Sequence, residues 1–383
     1  MAADPAAPQP VRWLPTDSRK PPPDGVGLCL SGGGYRAMIF HLGALWRLNE
    51  LGWLERLDRI SSVSGGSLTA AALGLAWPQL AFSSGVATRF TDLVVEPVRA
   101  LARHTVDEAA IAVGLLTPSS IGERVSKAYA EHLLGDATLQ DLPDEPRFIV
   151  NATNLASGAL LRLSKEEIAD WRVGRVAAPT LALADAVACS SAFPPVLSPF
   201  ELDLRDATWE TETGNDLSGP EYRGELKLSD GGVYDNLGLE TVWKRCRTVF
   251  ASDAGGQLAD EPDPATDWVR QTLRVLGVID NQVRNLRKQQ LIDSYTDDQR
   301  DGTYWGIRSN IAHYELADAL PAPHARTLVL AQTPTRLRRM DDALQERLIN
   351  WGYALTDAAV RKHVATSPPT PAPAGFPYPD AGI

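Results

Sequence analysis

The sequence predicts an α/β protein with a mainly parallel central sheet and helices on both faces. A buried strand over 26–30 runs into a glycine-rich loop and a helix over 37–51. A short strand near Ile60 then runs into a tight turn and a second helix. This strand–helix–strand–helix order is typical of parallel sheets, because each helix returns the chain along a face of the sheet. We also expect a helical insertion over 82–134 and a C-terminal helical extension over 261–365.

The loop after the first strand contains three consecutive glycines, Gly32, Gly33 and Gly34. Glycines between a strand and a helix expose several backbone N–H groups, a geometry that suits a phosphate or an oxyanion. A dinucleotide site would require a further glycine where Ala37 stands, and a phosphate-binding loop would require a following Gly-Lys-Ser/Thr. The sequence therefore favours an oxyanion hole.

The second loop places Ser64 between the short strand and the next helix, with Gly65 and Gly66 after it. A serine in a tight strand-to-helix turn is the arrangement of a nucleophile elbow, in which only small residues fit beside the serine. Ser62 replaces the first glycine of the usual pattern. A flexible turn without catalytic function is the alternative interpretation of this segment taken alone.

An acidic residue, Asp230, ends a predicted strand over 225–229 and is followed by Gly231 and Gly232. A carboxylate in this position is well placed to reach a serine hydroxyl, although Asp-Gly is also a frequent turn dipeptide. Asp253 follows another predicted strand and is a second candidate for the same role.

These loops, with two further segments, resemble the motifs of the patatin-like phospholipase family. The motifs are the glycine loop ending at Arg36, the elbow at Ser64, segment 151–158, the serine- and proline-containing segment 190–195, and the Asp-Gly-Gly at Asp230. All five occur in the order and at the approximate spacing of the family. The sequence departs from the family pattern at Ser62 and Ala37, where one small residue replaces another.

The resemblance covers about 26–256 and implies a patatin-like fold and a lipid acyl hydrolase of the phospholipase A or esterase type. It implies that Ser64 is the nucleophile and Asp230 the general base, in a dyad without histidine. It further implies an oxyanion hole from the backbone of the glycine loop and of Gly65, with Gly32, Gly33 and Gly34 as the loop candidates. A lipid acyltransferase and a low-turnover lipid-binding regulatory module remain alternatives on the same fold.

Two side chains near the glycine loop have open roles. Arg36 is a candidate to bind a lipid phosphate, to orient the loop, or to pair with a nearby carboxylate. His41 is the nearest histidine to the predicted nucleophile, but it lies two helical turns beyond the loop, so a hydrogen bond within the fold is favoured over a catalytic triad.

Composition restricts the partners. The 383 residues carry a net charge of −11, which argues against binding of nucleic acid and against a purely electrostatic attachment to anionic membranes.

The longest apolar stretch, 68–77, is too short to span a bilayer, and no targeting segment is visible. Three cysteines without metal spacing favour reduced core thiols. We expect a cytoplasmic protein, peripheral at a membrane or micelle surface, that needs no cofactor or metal; nothing in the sequence points to an oligomeric state.

Five regions are predicted along the chain: a disordered arm over 1–23, a catalytic domain over 24–260, the helical insertion over 82–134, the helical extension over 261–365 packed on the catalytic domain, and a disordered proline-rich tail over 366–383. The insertion is interpreted either as a cap over the site or as ordinary packing helices.

Two segments had several interpretations. The long helix over 267–294 has apolar residues interspersed with arginines and a lysine. We favour packing of its apolar stripe on the core, with a lipid-facing amphipathic helix as the alternative. The acidic segment 209–220 is interpreted as a surface loop, because its oxygen-bearing residues have no recognised calcium-site spacing.

Overall fold

A computed structural model describes residues 22–107, 121–364 and 371–383. The strands are β1 Val26–Leu30, β2 Arg59–Ser62, β3 Phe82–Ser83, β4 Val86–Ala87, β5 Arg147–Asn154, β6 Ala159–Ser164, β7 Glu167–Asp170, β8 Gly174–Ala177, β9 Phe200–Asp203, β10 Glu225–Asp230, β11 Thr248–Asp253 and β12 Asp301–Gly306. The helices are α1 Gly34–Glu50, α2 Gly65–Ala76, α3 Glu96–Ala102, α4 Ile121–Tyr129, α5 Leu183–Ser190, α6 Gly232–Asp235, α7 Glu240–Trp243, α8 Trp268–Thr296, α9 His324–Ala331 and α10 Asp342–His363. Short 3₁₀ and π segments are Leu54–Arg56, Trp77–Gln79, Thr91–Val95, Ala130–Leu134, Leu139–Asp141, Pro220–Tyr222 and Ile311–Tyr314.

The predicted α/β fold is confirmed, and its parallel half positions the loops of interest. The sheet order is β12-β11-β1-β2-β5-β6-β7-β8, with neighbours parallel from β12 to β5 and antiparallel from β5 to β8. Leu30 at the end of β1 pairs with Ser62 at the end of β2 and with Ser252 near the end of β11. Because parallel strands end at the same edge of a sheet, the glycine loop and the serine turn are neighbours.

Strand β10 reaches the same edge from the opposite direction. It pairs antiparallel with the second half of β5, with Asp230 opposite Ala152. The first half of β5 pairs with β2, up to the pair Ser62–Val150. The end of β10 therefore points toward the end of β2, and the carboxylate predicted as base arrives beside the serine turn.

Helix α1, which begins in the glycine loop, is buried between the sheet and α10. Nearly all of its residues are buried, and the two helices approach closely through Gly43 and Gly352. A Cβ atom on Gly43 would lie 1.9 Å from the Ile349 carbonyl oxygen, so any larger residue would force the helices apart.

The region after 261 differs from the helical extension that was predicted. Its helix α10 does pack on α1, but its strand β12 pairs with β11 and completes the central sheet. Trp305 of β12 is fully buried against Phe250 of β11. Helices at the end of the chain were visible from their 3.6-residue periodicity, whereas a single six-residue strand among them was not.

The prediction of a disordered C-terminal tail is wrong for residues 371–383. Tyr378 packs edge-on against Trp46 and accepts a hydrogen bond from Arg99 Nη1 at 2.9 Å. Asn350 Nδ2 donates to the carbonyl of Tyr378, and Ile383 is buried. A few aromatic and apolar side chains therefore hold a segment whose prolines predicted disorder. Residues 365–370 of the tail and residues 1–21 of the predicted arm lie outside the described residues.

The segment 82–134 begins with the β3–β4 hairpin rather than with a helix, and its residues 108–120 lie outside the described part. The rest is helical as predicted. Helix α3 and the π segment Thr91–Val95 pack on α1 or α2, and α4 packs on α5. These helices belong to the layer that covers the sheet, and their role as a cap remains a prediction.

Helix α8 contradicts the favoured interpretation of its sequence. Its apolar residues point to solvent, and only Leu291 and Ser294 of its 29 residues are buried. The exposed residues include Val269, Leu273, Leu276, Ile279, Val283 and Leu286. The inner face is polar because it meets charged partners: Arg287 Nη1 lies 3.0 Å from Glu240, and Arg284 and Lys288 lie near Asp253. Within the described residues, no helix has the length and apolar character needed to cross a membrane.

Candidate active site

Ser64 occupies a strained turn between β2 and α2. Its φ is 52° and its ψ is −121°, an uncommon conformation for a residue with a side chain, and only 7% of its surface is exposed. The following residue must be glycine, because a Cβ on Gly65 would lie 2.0 Å from the carbonyl oxygen of Gly34. The serine turn therefore fits directly against the glycine loop, as expected for a nucleophile elbow.

A network of serines holds the turn from below. The Ser64 N–H donates to Ser190 Oγ at 2.8 Å, and Ser67 Oγ lies 3.0 Å from both Ser190 Oγ and Ser62 Oγ. Ser62 Oγ in turn donates to the carbonyl of Ile149. This network explains the serine that replaces the first glycine of the elbow pattern: its hydroxyl ties the turn to β5.

Asp230 lies beside Ser64 and is almost fully buried. Its carboxylate is within hydrogen-bonding reach of the Ser64 hydroxyl, and its Oδ1 accepts a hydrogen bond from the Gly232 N–H at 2.7 Å. Burial raises the pKa of Asp230 to about 7, these two hydrogen bonds act in the opposite direction, and the negative charge of Asp280 on α8 adds to the rise. The structure thus brings the two predicted dyad residues together.

Three backbone N–H groups of the glycine loop and the serine turn, those of Gly33, Gly34 and Gly65, have no acceptor among the described residues. Gly32 differs from the prediction, because its N–H already donates to the carbonyl of Asn236 at 3.1 Å. An oxyanion hole at this position would therefore use the other three glycines, at the N-terminal ends of α1 and α2.

Arg36 is buried beneath the loop. Its Nε and Nη2 donate to the carbonyl of Ala254 at 3.1 and 2.9 Å, and its Nη1 donates to the carbonyl of Thr333. With all three nitrogens engaged, the guanidinium connects the glycine loop to two distant segments. These contacts favour the loop-orienting role over a direct contact with a lipid phosphate.

The two alternative candidates for the base, His41 and Asp253, have other hydrogen-bond partners. His41 Nε2 lies 2.9 Å from the carbonyl of Ser31, so it carries the proton, and Nδ1 accepts from the Ser252 hydroxyl at 2.8 Å. Burial lowers the pKa of His41 to about 4. Asp253 accepts from the Gly255 N–H at 2.9 Å and from the Tyr304 hydroxyl at 2.7 Å. Each of the two side chains therefore hydrogen-bonds groups other than Ser64.

Asn236 is a further residue of the site that the sequence did not reveal. Its side-chain oxygen lies 2.6 Å from the positions that a Cβ on Gly32 or Gly232 would occupy, and its backbone carbonyl holds the N–H of Gly32. It therefore joins the glycine loop to the turn after Asp230. In the sequence, only its position six residues after Asp230 could have indicated that Asn236 belongs to the site.

The acidic segment 209–220 remains a surface loop. Glu210 pairs with Arg175, and Asp216 pairs with Arg172. In residues 22–107, 121–364 and 371–383 there is no group of three or more His, Cys, Asp or Glu side chains suited to hold a metal ion.

Replacement of Gly33 by alanine tests the loop. Gly33 has a φ of 151°, and a Cβ there would lie 2.7 Å from the Ala254 carbonyl oxygen, so the loop must shift. We expect the kcat on a soluble ester to fall by about 10²–10³-fold with little change in KM, because an oxyanion donor acts chiefly in the transition state. Gly224→Ala, which meets its nearest atom at 3.4 Å, is the control. A raised KM with intact kcat would mean that the loop binds the ground state of the substrate.

The sheet, with the serine turn, the glycine loop and the buried aspartate at one edge, defines the class of the protein as α/β. Residues 28–243, more than half of the chain, match the family model described as Patatin-like phospholipase. The chain belongs to the patatin-like phospholipase family.

Several solved structures resemble the chain more distantly. Human GIVD cytosolic phospholipase A2 is 13% identical with a TM-score of 0.42, over 63% of this chain and 49% of that one. Its complex with methyl gamma-linolenyl fluorophosphonate is 15% identical with a TM-score of 0.48, over 88% and 57%. VipD from Legionella pneumophila is 16% identical with a TM-score of 0.35, over 87% and 66%. The chain thus spans about half to two thirds of the length of these structures. No curated protein matches it.

Proposed function

We propose that the protein is a lipid acyl hydrolase that cleaves carboxylic esters through Ser64 and Asp230. One observation carries the proposal: the Ser64 hydroxyl, in a strained elbow, is within hydrogen-bonding reach of a buried carboxylate, and three backbone N–H groups of the two adjoining loops have no acceptor among the described residues. Nucleophile, base and oxyanion donors then surround one point where an ester carbonyl fits. Membership of the family supports a lipid ester as the substrate class.

In the proposed reaction, Ser64 Oγ attacks the ester carbonyl carbon while its proton passes to Asp230. The N–H groups of Gly33, Gly34 and Gly65 stabilise the oxyanion of the tetrahedral intermediate. Collapse of the intermediate breaks the ester C–O bond, and protonated Asp230 gives its proton to the leaving alcohol. Water then attacks the acyl-serine, again with Asp230 as base. The bond between the acyl carbon and Ser64 Oγ breaks, Asp230 returns the proton to Oγ, and the fatty acid is released.

The elevated pKa of Asp230 makes this chemistry more favourable. An ordinary aspartate is a poor base for a hydroxyl, because its pKa lies far below that of the group it must deprotonate. Burial brings the pKa of Asp230 to about 7, which makes its carboxylate a stronger base that is still largely ionised above neutral pH.

A lipid surface is the proposed place of action. Helix α8 presents a row of exposed apolar residues, and its Asp280 is close enough to raise the pKa of Asp230. An apolar helix face next to the site suits contact with a membrane or micelle that supplies the substrate. Because the net charge is −11, apolar contacts rather than charge would hold the protein there.

The three cysteines of the protein are buried and unpaired, which suits a cytoplasmic location.

The function is tested by incubating purified protein with mixed membrane phospholipids and analysing the products. We expect free fatty acid and the corresponding lysolipid from the wild-type chain, and neither from Ser64→Ala, because acyl transfer begins at that hydroxyl. A second incubation contains an acceptor alcohol such as monoacylglycerol. New acyl esters in place of fatty acid would identify a transferase, and binding of lipid without either product would identify a regulatory module.

A pH profile tests the base. The carboxylate form of Asp230 is the active one, so kcat/KM for a soluble, uncharged ester should rise as the pH increases and level off above about 7. Asp280→Asn removes a negative charge that raises the pKa of Asp230, so its acid limb should move to lower pH. A rate that stays constant on both sides of neutrality would contradict this assignment.

A further inference from the structure

A cavity lies next to the site, between the inner face of α8 and the end of β12. Its volume is about 310 Å³. We call it the basic cavity and define it by five residues that line it: Arg284 and Lys288 of α8, Arg308 after β12, Asp253 at the end of β11, and Gly255 after that strand. None of its three cationic residues lies in the stretch 28–243 that matches the family, so family membership does not assign it a role.

The basic cavity contains more positive than negative charge. Four cations interact here, namely Arg36 beneath the floor together with Arg284, Lys288 and Arg308. Their carboxylate partners are Asp253 and Asp280, which leaves two positive charges in excess. Burial lowers the pKa of Arg36 to about 10, and repulsion from Arg308 and Arg284 contributes to the fall. Such crowding is unfavourable unless an anion enters.

Hydrogen-bond donors in the cavity also lack acceptors. The buried Nε of Arg308 has no hydrogen-bond partner among the described residues. Arg284 Nη1 lies 3.6 Å from Asp280, which is too far for a good hydrogen bond. Arg308 Nη2 does donate to the carbonyl of Ala331 at 3.3 Å, so this guanidinium is only partly satisfied. Buried donors of folded proteins are almost always satisfied, so the donors left over in the cavity point to a missing acceptor.

The side chain of Asn236 lies between the cavity and the proposed catalytic centre. The amide nitrogen of Asn236 lies 2.8 Å from the position of a Cβ on Gly255, and its amide oxygen reaches Gly32 and Gly232. The Ala254 carbonyl, beside the cavity floor, lies 2.7 Å from the position of a Cβ on Gly33. A ligand in the cavity would therefore lie close to the glycine loop.

We propose that the basic cavity binds a phosphate group, held by Arg284, Lys288 and Arg308. Guanidinium groups bind phosphate oxygens through paired, charge-assisted hydrogen bonds, and a lysine adds a point charge. A volume at the lower end of the roughly 300–1,000 Å³ of ligand pockets accommodates a head group rather than a whole lipid. The phosphate belongs either to the head group of a phospholipid substrate, which rests on the proposed function, or to a free phosphorylated compound.

Binding is measured first, without catalysis. Calorimetric titration of full-length Ser64→Ala protein with inorganic phosphate and with glycerol 3-phosphate is expected to show saturable binding. Arg284→Gln and Lys288→Gln, each in the Ser64→Ala background, should weaken it by about tenfold or more, since each removes a charge-assisted contact. Arg270→Gln is the matched control: it makes the same charge change on α8, about 20 Å along the helix from Arg284, where Arg270 pairs with Asp267.

Kinetics then distinguish the two sources of phosphate. If the cavity binds the phosphate of the substrate's own head group, Arg284→Gln and Lys288→Gln should lower kcat/KM on an anionic phospholipid by about tenfold. The kcat/KM on an uncharged soluble ester should then fall far less. With a free phosphorylated ligand, both variants lose phosphate binding while the ratio of the two kcat/KM values stays at its wild-type level.

The inference and the proposed function can fail separately. Absence of saturable phosphate binding to Ser64→Ala, or equal binding by the cavity variants and Arg270→Gln, would overturn the phosphate site even if phospholipids are hydrolysed. Phosphate binding that depends on Arg284 and Lys288 in a protein that hydrolyses no ester would support the site and refute the hydrolase. Two separate cavity variants are used so that misfolding of one, checked by circular dichroism, leaves the other informative.

Discussion

Ser64→Ala is expected to abolish ester hydrolysis and covalent labelling by a fluorophosphonate probe. The wild-type hydroxyl, within hydrogen-bonding reach of Asp230 and close to the three proposed oxyanion donors, should attack phosphorus readily. Without it, turnover should fall by about 10⁴-fold or more, as for other serine nucleophiles. Labelling is followed by mass spectrometry of the modified peptide, and hydrolysis by release of a chromogenic alcohol.

The control for this prediction is Ser190→Ala. The Ser190 hydroxyl supports the Ser64 N–H and is engaged with Ser67, so its loss should slow the reaction while the probe still modifies Ser64. The thermal midpoint of both variants shows whether they fold. Adducts on Ser31 or Ser190 that persist in folded Ser64→Ala protein would refute the assignment of the nucleophile.

Asp230→Asn is expected to lower turnover by about 10²–10⁴-fold, the usual contribution of a general base. The amide keeps the shape of the side chain, and its oxygen can still accept from Gly232, but it cannot take the proton of Ser64. Asp253→Asn and His41→Gln, assayed on the same uncharged ester, should lose far less, because both side chains hydrogen-bond groups other than Ser64. The reverse ranking would move the base to Asp253 or restore a histidine triad.

The pH dependence of stability provides the folding control for Asp230→Asn. The pKa of Asp230 is raised by burial to about 7, above its value of about 3.9 in an unfolded chain. Between these values the unfolded state has lost a proton that the folded state keeps, so the free energy of unfolding decreases as the pH rises through this range. Asp230→Asn removes this decrease. At pH 8 or so, the variant should melt no lower than the wild type.

The central part of the fold and the two dyad candidates could be predicted from local sequence. The glycines around Ser64 and the Asp-Gly-Gly at Asp230 each mark a strand end by themselves, because only small residues fit these turns. Parallel pairing of β1 with β2 then brings the loops together without further information. The close approach of Gly65 to Gly34 shows why the glycines occupy these positions.

Other features depend on residues far apart in the sequence and were beyond local patterns. Arg36 hydrogen-bonds carbonyls 218 and 297 positions away, so its role was undecidable from the loop alone. The apolar stripe of α8 predicted a buried face, but the surface it meets carries Glu240 and Asp253, and the arginines therefore turn inward. Periodicity shows that a helix has two faces; only its neighbours decide which of them is covered.

The contacts of β11, β12 and α10 mean that the family-matched stretch is not a separable module. Without the residues after 243, β1 would become an open sheet edge, and α1 would expose the surface that now lies against Gly352. Both elements carry the glycine loop, so its backbone geometry depends on the last third of the described chain. The stretch that matches the family by sequence is therefore shorter than the unit that must fold together. A chimaera that exchanges the glycine loop must also include the C-terminal elements that pack against it.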